Sequence, residues 1–297
     1  MSQTDMPLPS LLSVNIVGLT TIVRREFRRI VRIWLQTIVP PAITMTLYFV
    51  IFGSLIGRRI GEMDGVPYMT FIAPGLIMMS VISNSFGNVV SSFFSGKMQL
   101  HLEEMLVSPM SYATIVVGYV SGGVIRGLMV GGLVTLIALF FADLTVVHPF
   151  ITIAVIVLTS VVFSLAGLLN ALFAKTFDDI SIIPTFVLAP LTYLGGVFFS
   201  ITLLSSAWQK VALVNPILYM VNAFRYGMLG RSDIPISQAF PIILIAVVAM
   251  FSYGGLVRAS MKVTKSSISC SVRFSGRIPP LKKALTGSSA FVTPPLL

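Results

Sequence analysis

The sequence predicts an all-α polytopic membrane protein. It comprises six transmembrane helices, an N-terminal interfacial helix, a cytoplasmic amphipathic helix and an outer re-entrant helical hairpin. Three observations carry that expectation. Apolar residues make up 56% of the 297-residue chain and charged residues only 10%, well under the roughly one quarter of a soluble domain. Mean hydropathy is +0.95. The charges fall in clusters, and the runs between them exceed the ~20 residues a spanning helix needs.

Five runs contain no Asp, Glu, Lys or Arg: 33–57, 65–96, 144–174, 180–209 and 234–257. A sixth, 112–141, is interrupted only by Arg126. Closed barrels, the other spanning solution, are built from short alternating strands, which these continuous runs do not match. With six spans, one face receives Arg24, Arg25, Arg28, Arg29, Arg32, Lys97, Lys175 and the basic residues after 257. The other receives only Arg58, Arg59, Lys210, Arg225 and Arg231. The excess of Lys and Arg puts both termini in the cytoplasm.

The net charge of +10 fits anionic headgroups and not nucleic acid, because the basic residues flank membrane runs without interleaved stacking aromatics. The first apolar run is too long for a signal-peptide core, so no cleavable leader is expected. A single cysteine, Cys270, excludes an internal disulfide and a cysteine metal cage. The expected organisation is a flexible N-terminus (1–12), a transmembrane domain (13–257) and a basic, disordered tail (258–297).

Before the first span, Leu19, Val23, Phe27, Ile30 and Trp34 fall within an arc of about 80° at ~100° per residue. Arg24, Arg25, Arg28, Arg29 and Arg32 cluster opposite. This pattern predicts a helix along the cytoplasmic membrane surface, guanidinium groups among anionic lipids. Pro40 and Pro41 in the first span, and Pro74 and Gly75 in the second, predict kinked or broken helices. In the third, Gly118, Gly122, Gly123, Gly127, Gly131 and Gly132 give Gly-x-x-x-Gly spacings that let backbones approach closely; packing within the chain is favoured over a dimer seam.

Segment 97–109 predicts a helix of about three turns ended by Pro109. Met98, Leu102, Met105 and Leu106 share one face, with Lys97, His101, Glu103, Glu104 and Ser108 around it. Two readings stand level on these residues: a loop touching the membrane, and a helix inserted into a partner's groove. At 175–179, Asp178 and Asp179 are expected to cap the following helix, with Lys175 beside them. Segment 201–233 holds two apolar stretches too short to span, divided at Asn215-Pro216. An outer hairpin entered through Gly195-Gly196 is consistent with the charge count, and Trp208, Asn215, Pro216, Tyr219 and Arg225 are its candidate residues.

Arg126 would cost at least ~3 kcal/mol at a helix centre unless paired or hydrated. Contact with an anionic headgroup or a water-filled pathway, and a structural pair within the bundle, remain open alike. A secondary carrier or channel is disfavoured because no acidic or histidine residue lies at mid-span depth. A membrane enzyme is disfavoured because no Ser/His/Asp set or His-rich metal cluster is present.

The segments 97–110, 175–199, 215–219 and Phe224-Arg225-Tyr226, in this order, resemble type-2 ABC transporter permeases. More closely, they resemble the YadH-like inner-membrane permeases of Gram-negative bacteria. The likeness covers about residues 20–250. It implies an inner-membrane exporter subunit that forms a homodimer and binds two separate ABC ATPase subunits. Segment 97–108 would be the coupling helix, the N-terminal helix the connecting helix, and 201–230 the external hairpin. The chain has no Gly-x-x-x-x-Gly-Lys-Ser/Thr phosphate loop, so ATP and Mg are expected on the partner, and no cofactor or catalytic residue on this chain. The cargo class stays open among an amphipathic drug, a lipid and a lipid-linked glycan. The long tail after Arg258 departs from the short basic ending of such permeases. A changed reading frame after the last span, with an imperfect last helix near Gly254-Gly255, would account for it.

Overall fold

The computed structural model describes residues 11–252, so residues 1–10 of the expected N-terminal segment, the tail and Gly254-Gly255 lie outside the described residues. The chain opens with α1 (Leu11–Arg32) and, after a one-residue break at Ile33, α2 (Trp34–Tyr48). α2 passes through Pro40 and Pro41 without ending. It then widens into π-helical turns over Phe49–Ile56 and closes with α3 (Gly57–Ile60). A two-stranded hairpin, β1 (Glu62–Met63) and β2 (Val66–Pro67), turns the chain through Asp64 and Gly65, both at positive φ.

Four long helical segments are apolar enough to cross a membrane: Trp34–Gly53, Tyr68–Met98, Tyr112–Ala138 and Pro149–Phe173. The last three are α4, α6 and α7, with the short α5 (His101–Val107) between α4 and α6. α4 is the central post. At 31 residues it runs about 46 Å, and it is buried along most of its length against α6, α7 and a later helix. Pro74 lies inside it without breaking it.

The expected fifth span, 180–209, is not one helix. The continuous helical part of it ends early, covering Asp179–Tyr193 as α8 (Asp179–Ile183), π-helical turns and α9 (Ala189–Tyr193). The chain then leaves the helix at Gly195-Gly196, where Gly196 has φ +70°. A conformation that glycine adopts at little cost makes the break local to this pair. Two short helices follow, α10 (Ser206–Val214) and α11 (Pro216–Leu229). Asn215 divides them: its Oδ1 accepts from Ile217 N at 3.0 Å, and Pro216 takes the first helical position, where its missing N–H costs nothing. A last apolar helix, α12, spans Ile236–Ser252.

One large apolar core joins α4 to α7, α11 and α12. A second gathers Ile22, Phe93, Phe94, Leu102, Leu106, Ile115, Tyr119, Leu168 and Ala171 where α4 ends, α6 begins and α7 ends. The molecule thus has an α5 end and an α11 end.

Candidate functional site

At the α5 end, the stretch 97–108 is not the single rod the amphipathic pattern suggests. α4 carries on through Lys97 and Met98. Leu100 then adopts φ +62°, a left-handed conformation uncommon for a branched apolar residue, and α5 starts afresh. Leu102 and Leu106 are buried in the second core, and Met105 packs partly against it. Leu102 and Leu106 pin α5 to the bundle and are closed to a partner, while Met105 stays partly exposed. Met98 lies on α4 and is exposed, so it does not share their face. The open side of α5 carries His101, Glu104 and Val107, with Glu103 half-buried. His101 Nδ1 stands 3.7 Å from Glu104 Oε2.

Lys97 is not on that open side either. Its Nζ donates to the carbonyls of Leu172 and Ala174 at 2.9 and 2.7 Å, occupying acceptors left free at the C-terminus of α7. The following turn is closed by Asp179, whose Oδ2 accepts from Lys175 N and Thr176 N at 2.8 and 3.0 Å. Those two backbone donors hold the Asp179 carboxyl below the usual carboxylate range. Asp179 therefore ties the turn, while Asp178 makes no capping bond. Phe177 sets its ring edge-on to Phe94, centroids 4.9 Å apart. α5, the end of α4, the end of α7 and the 174–179 turn form one connected plate.

Behind it lies an ion network that the sequence reading missed. α1 runs alongside the first half of α6, four residues for four. Asn15 Oδ1 accepts from Ser111 N and Thr114 Oγ1 at 2.8 and 3.0 Å, Ile22 fills the space over Gly118, and Glu26 that over Gly122. Glu26 is 1% exposed. Its carboxylate meets Arg29 at 3.1 Å and Arg25 at 3.6 Å and accepts from Ser92 Oγ at 2.5 Å. Arg29 also donates to Asn88 Oδ1 at 2.7 Å, and Arg25 to the Tyr119 hydroxyl at 2.7 Å. Arg29 therefore points into the bundle, contrary to the expected headgroup face, while Arg25 reaches Tyr119 and Glu26 with its side chain still 43% exposed. Arg24, Arg28 and Arg32 stay exposed, as do Phe27 and Trp34. An acid thus does pack against the spans, on the α1 face the spacing Ile22, Glu26, Ile30 marks. That stripe was the available signal.

Five of the six α6 glycines meet neighbours within the chain: Gly118 and Gly122 meet α1; Gly123, Gly127 and Gly131 meet α4 or α7. Gly132 meets nothing within 4 Å. Beside α4, a cleft of about 310 Å³ separates it from the Asp179–Tyr193 segment. Phe86, Val90, Pro184 and Leu188 give it apolar walls, with the hydroxyls of Ser83, Ser91, Ser181 and Thr185 along it.

At the α11 end, Arg225 is fully buried. Its Nη2 donates to Gly196 O at 2.6 Å, its guanidinium lies 3.9 Å from the Phe71 ring centre, and Asp233 is 3.9 Å away. Asp233 in turn accepts from Ile201 N at 3.0 Å. Tyr219 donates to Leu213 O at 2.8 Å, while Trp208 is exposed. α11 is thus built into the core through Asn222, Phe224 and Arg225. No group of three or more potential metal ligands occurs among the described residues.

An apolar helical bundle of this length, with short amphipathic pieces at its ends, defines a multi-pass membrane protein. The family model for the ABC-2 type transporter matches residues 18–229. The chain is 58% identical over 236 residues to the inner membrane transport permease YadH of Escherichia coli K12, covering 79% of this chain and 92% of YadH. It is 24% identical over 206 residues to nodulation protein J of Rhizobium leguminosarum bv. viciae, covering 69% and 80%, and 25% identical over 180 residues to nodulation protein J of Sinorhizobium fredii, covering 60% and 69%. The chain belongs to the ABC-2 type transporter family, as a multi-pass inner-membrane permease subunit of an ABC transporter. Such a subunit partners an ABC ATPase subunit.

Proposed function

We propose that this permease is the transmembrane half of an ATP-driven exporter, acting as a homodimer with two separate ATPase subunits that bind ATP and Mg. The plate at the α5 end carries this reading. α5 presents His101, Glu103 and Glu104, with Met98 beside them, while Leu102 and Leu106 root it in the bundle. Lys97 links the same plate to α7, and the Lys175-to-Asp179 turn stands next to it. A push on α5 is thereby delivered to α4 and α7 together, as alternating access requires. In this reading both termini and the α5 end are cytoplasmic, the Asp179–Tyr193 segment and α12 complete six spans, and α10 with α11 forms the outer hairpin. The cleft beside α4, apolar with hydroxyls, suits an amphipathic, lipid or glycan substrate.

The rival reading, an ATP-independent carrier, would need a free intramembrane acid. Glu26 is engaged by two arginines and a serine. Co-purification tests the proposal. The permease should retain a co-expressed ABC ATPase, and Glu103→Lys with Glu104→Lys should abolish that complex while leaving the chain folded. Substrate flux from the purified chain without ATP would overturn it.

A further inference from the structure

Two guanidinium groups, those of Arg25 and Arg29, meet one carboxylate where α1 packs along α6, and a third, that of Arg126, stands one helical turn beyond Gly122, the glycine that Glu26 covers. Glu26 is shared between Arg25 and Arg29. Arg126 has neither hydrogen bond nor ion pair among the described residues. Its Nε is shut off from solvent without a partner, and the residue as a whole is only partly exposed, so its terminal nitrogens open onto the bundle surface. An uncompensated guanidinium at membrane depth is costly, and two positive charges here lack a counterpart in the described chain.

The opening does not lead into the cleft, since Arg126 is not among its lining residues. On α6 the exposed Met129 stands one turn beyond it, and its surroundings in a bilayer are acyl chains. Helical side chains lean toward the helix N-terminus, and long basic ones extend to the interface. The Arg126 guanidinium therefore leans along α6 toward Gly122 and Tyr119, where Glu26 and Arg25 stand.

We propose that Arg126, with Arg25 and Arg29 beside it, binds the phosphate of an anionic phospholipid at the α1–α6 contact. The lipid supplies the missing negative charge and fastens α1 to the bundle. The site requires only that the chain sits in a bilayer and stands apart from the exporter reading.

The test uses the full-length chain in neutral detergent, offered equal amounts of phosphatidylglycerol and phosphatidylcholine with matched acyl chains, and native mass spectrometry. Wild type should retain phosphatidylglycerol about fivefold over phosphatidylcholine, the preference one basic residue confers at an anionic surface. Arg126→Gln should bring the two to parity, and Arg126→Lys should keep the preference. Millimolar inorganic phosphate should leave the lipid bound; displacement by phosphate would assign the site to a free anion and overturn the lipid assignment. Equal retention by wild type, or an unchanged preference in Arg126→Gln, would overturn it too. A second measurement leaves Arg126 intact. In Trp208→Phe, Trp34 at the α1–α2 junction is the remaining tryptophan. Brominated phosphatidylglycerol should quench it at a lower mole fraction than brominated phosphatidylcholine, and equal quenching would sink the proposal even if Arg126→Gln fails to fold.

Discussion

Lys97 Nζ donates to the carbonyl of Ala174 at 2.7 Å, joining residues 77 apart in sequence. The same ammonium holds Leu172 O, so one side chain satisfies two carbonyls at the end of α7. Removing it leaves both in a half-buried setting. Lys97→Met should lower stability by about 1–2 kcal/mol, near the lower end for hydrogen bonds to a charged group because the site is partly solvated. Thermal unfolding in detergent would measure this. If the plate also transmits force, ATPase turnover in the complex should lose its response to substrate while the ATPase stays bound.

The Glu26 carboxylate is the one negative charge among Arg25, Arg29 and Arg126. Glu26→Ala should cost about 3–5 kcal/mol, the range for breaking a buried pair and leaving its partner uncompensated. Glu26→Gln should cost less, because the amide oxygen still accepts from Ser92. Unfolding of both variants under one condition gives the comparison, and equal losses would show that charge is not what Glu26 contributes.

Much of this fold is legible in the sequence because lipid imposes length. Two of the uncharged runs became α4 and α7, the run interrupted only by Arg126 became α6, and Gly195-Gly196 and Asn215-Pro216 marked the breaks they were read to mark. The failures share one cause. Lys97 shares a local amphipathic pattern with 98–108, but its partners belong to α7. Glu26 goes unremarked in a basic run, since its place over Gly122 is set by a contact with α6. Arg225 looks like an outer-loop charge until Gly196 O, Phe71 and Asp233 close around it. Each depends on contacts between distant segments, which periodicity does not register.

At the α11 end, the Asp64 carboxyl is raised from its ordinary value of 3.8 by partial burial and by the facing Asp233, while Arg225 acts the other way. A raised carboxyl binds its proton more tightly in the folded chain, so stability falls as pH climbs from the ordinary value through the raised one. Asp64→Asn removes this dependence and keeps a residue tolerant of φ +52°. Wild type should therefore gain thermal stability relative to Asp64→Asn on acidification toward pH 4. The gain should be small, since Asp64 sits on an exposed turn. A difference that does not change with pH would rule out the coupling.

The glycines separate packing from mere tolerance. A Cβ at Gly75 would come within 2.6 Å of Val197 O and 2.8 Å of Val197 Cα, and one at Gly167 within 2.6 Å of Phe86 O. Both obstacles are backbone, which cannot rotate aside as a serine hydroxyl can. Gly75→Ala and Gly167→Ala should each destabilise by about 1–3 kcal/mol, as overpacking does. Gly132→Ala meets open space, and alanine's better helix propensity should leave stability unchanged or raised by up to ~1 kcal/mol. Unfolding of the three variants side by side decides the matter. A loss at Gly132 equal to that at Gly75 would mean that a surface open in the single chain is covered in the assembled protein, and would favour the dimer seam for that glycine.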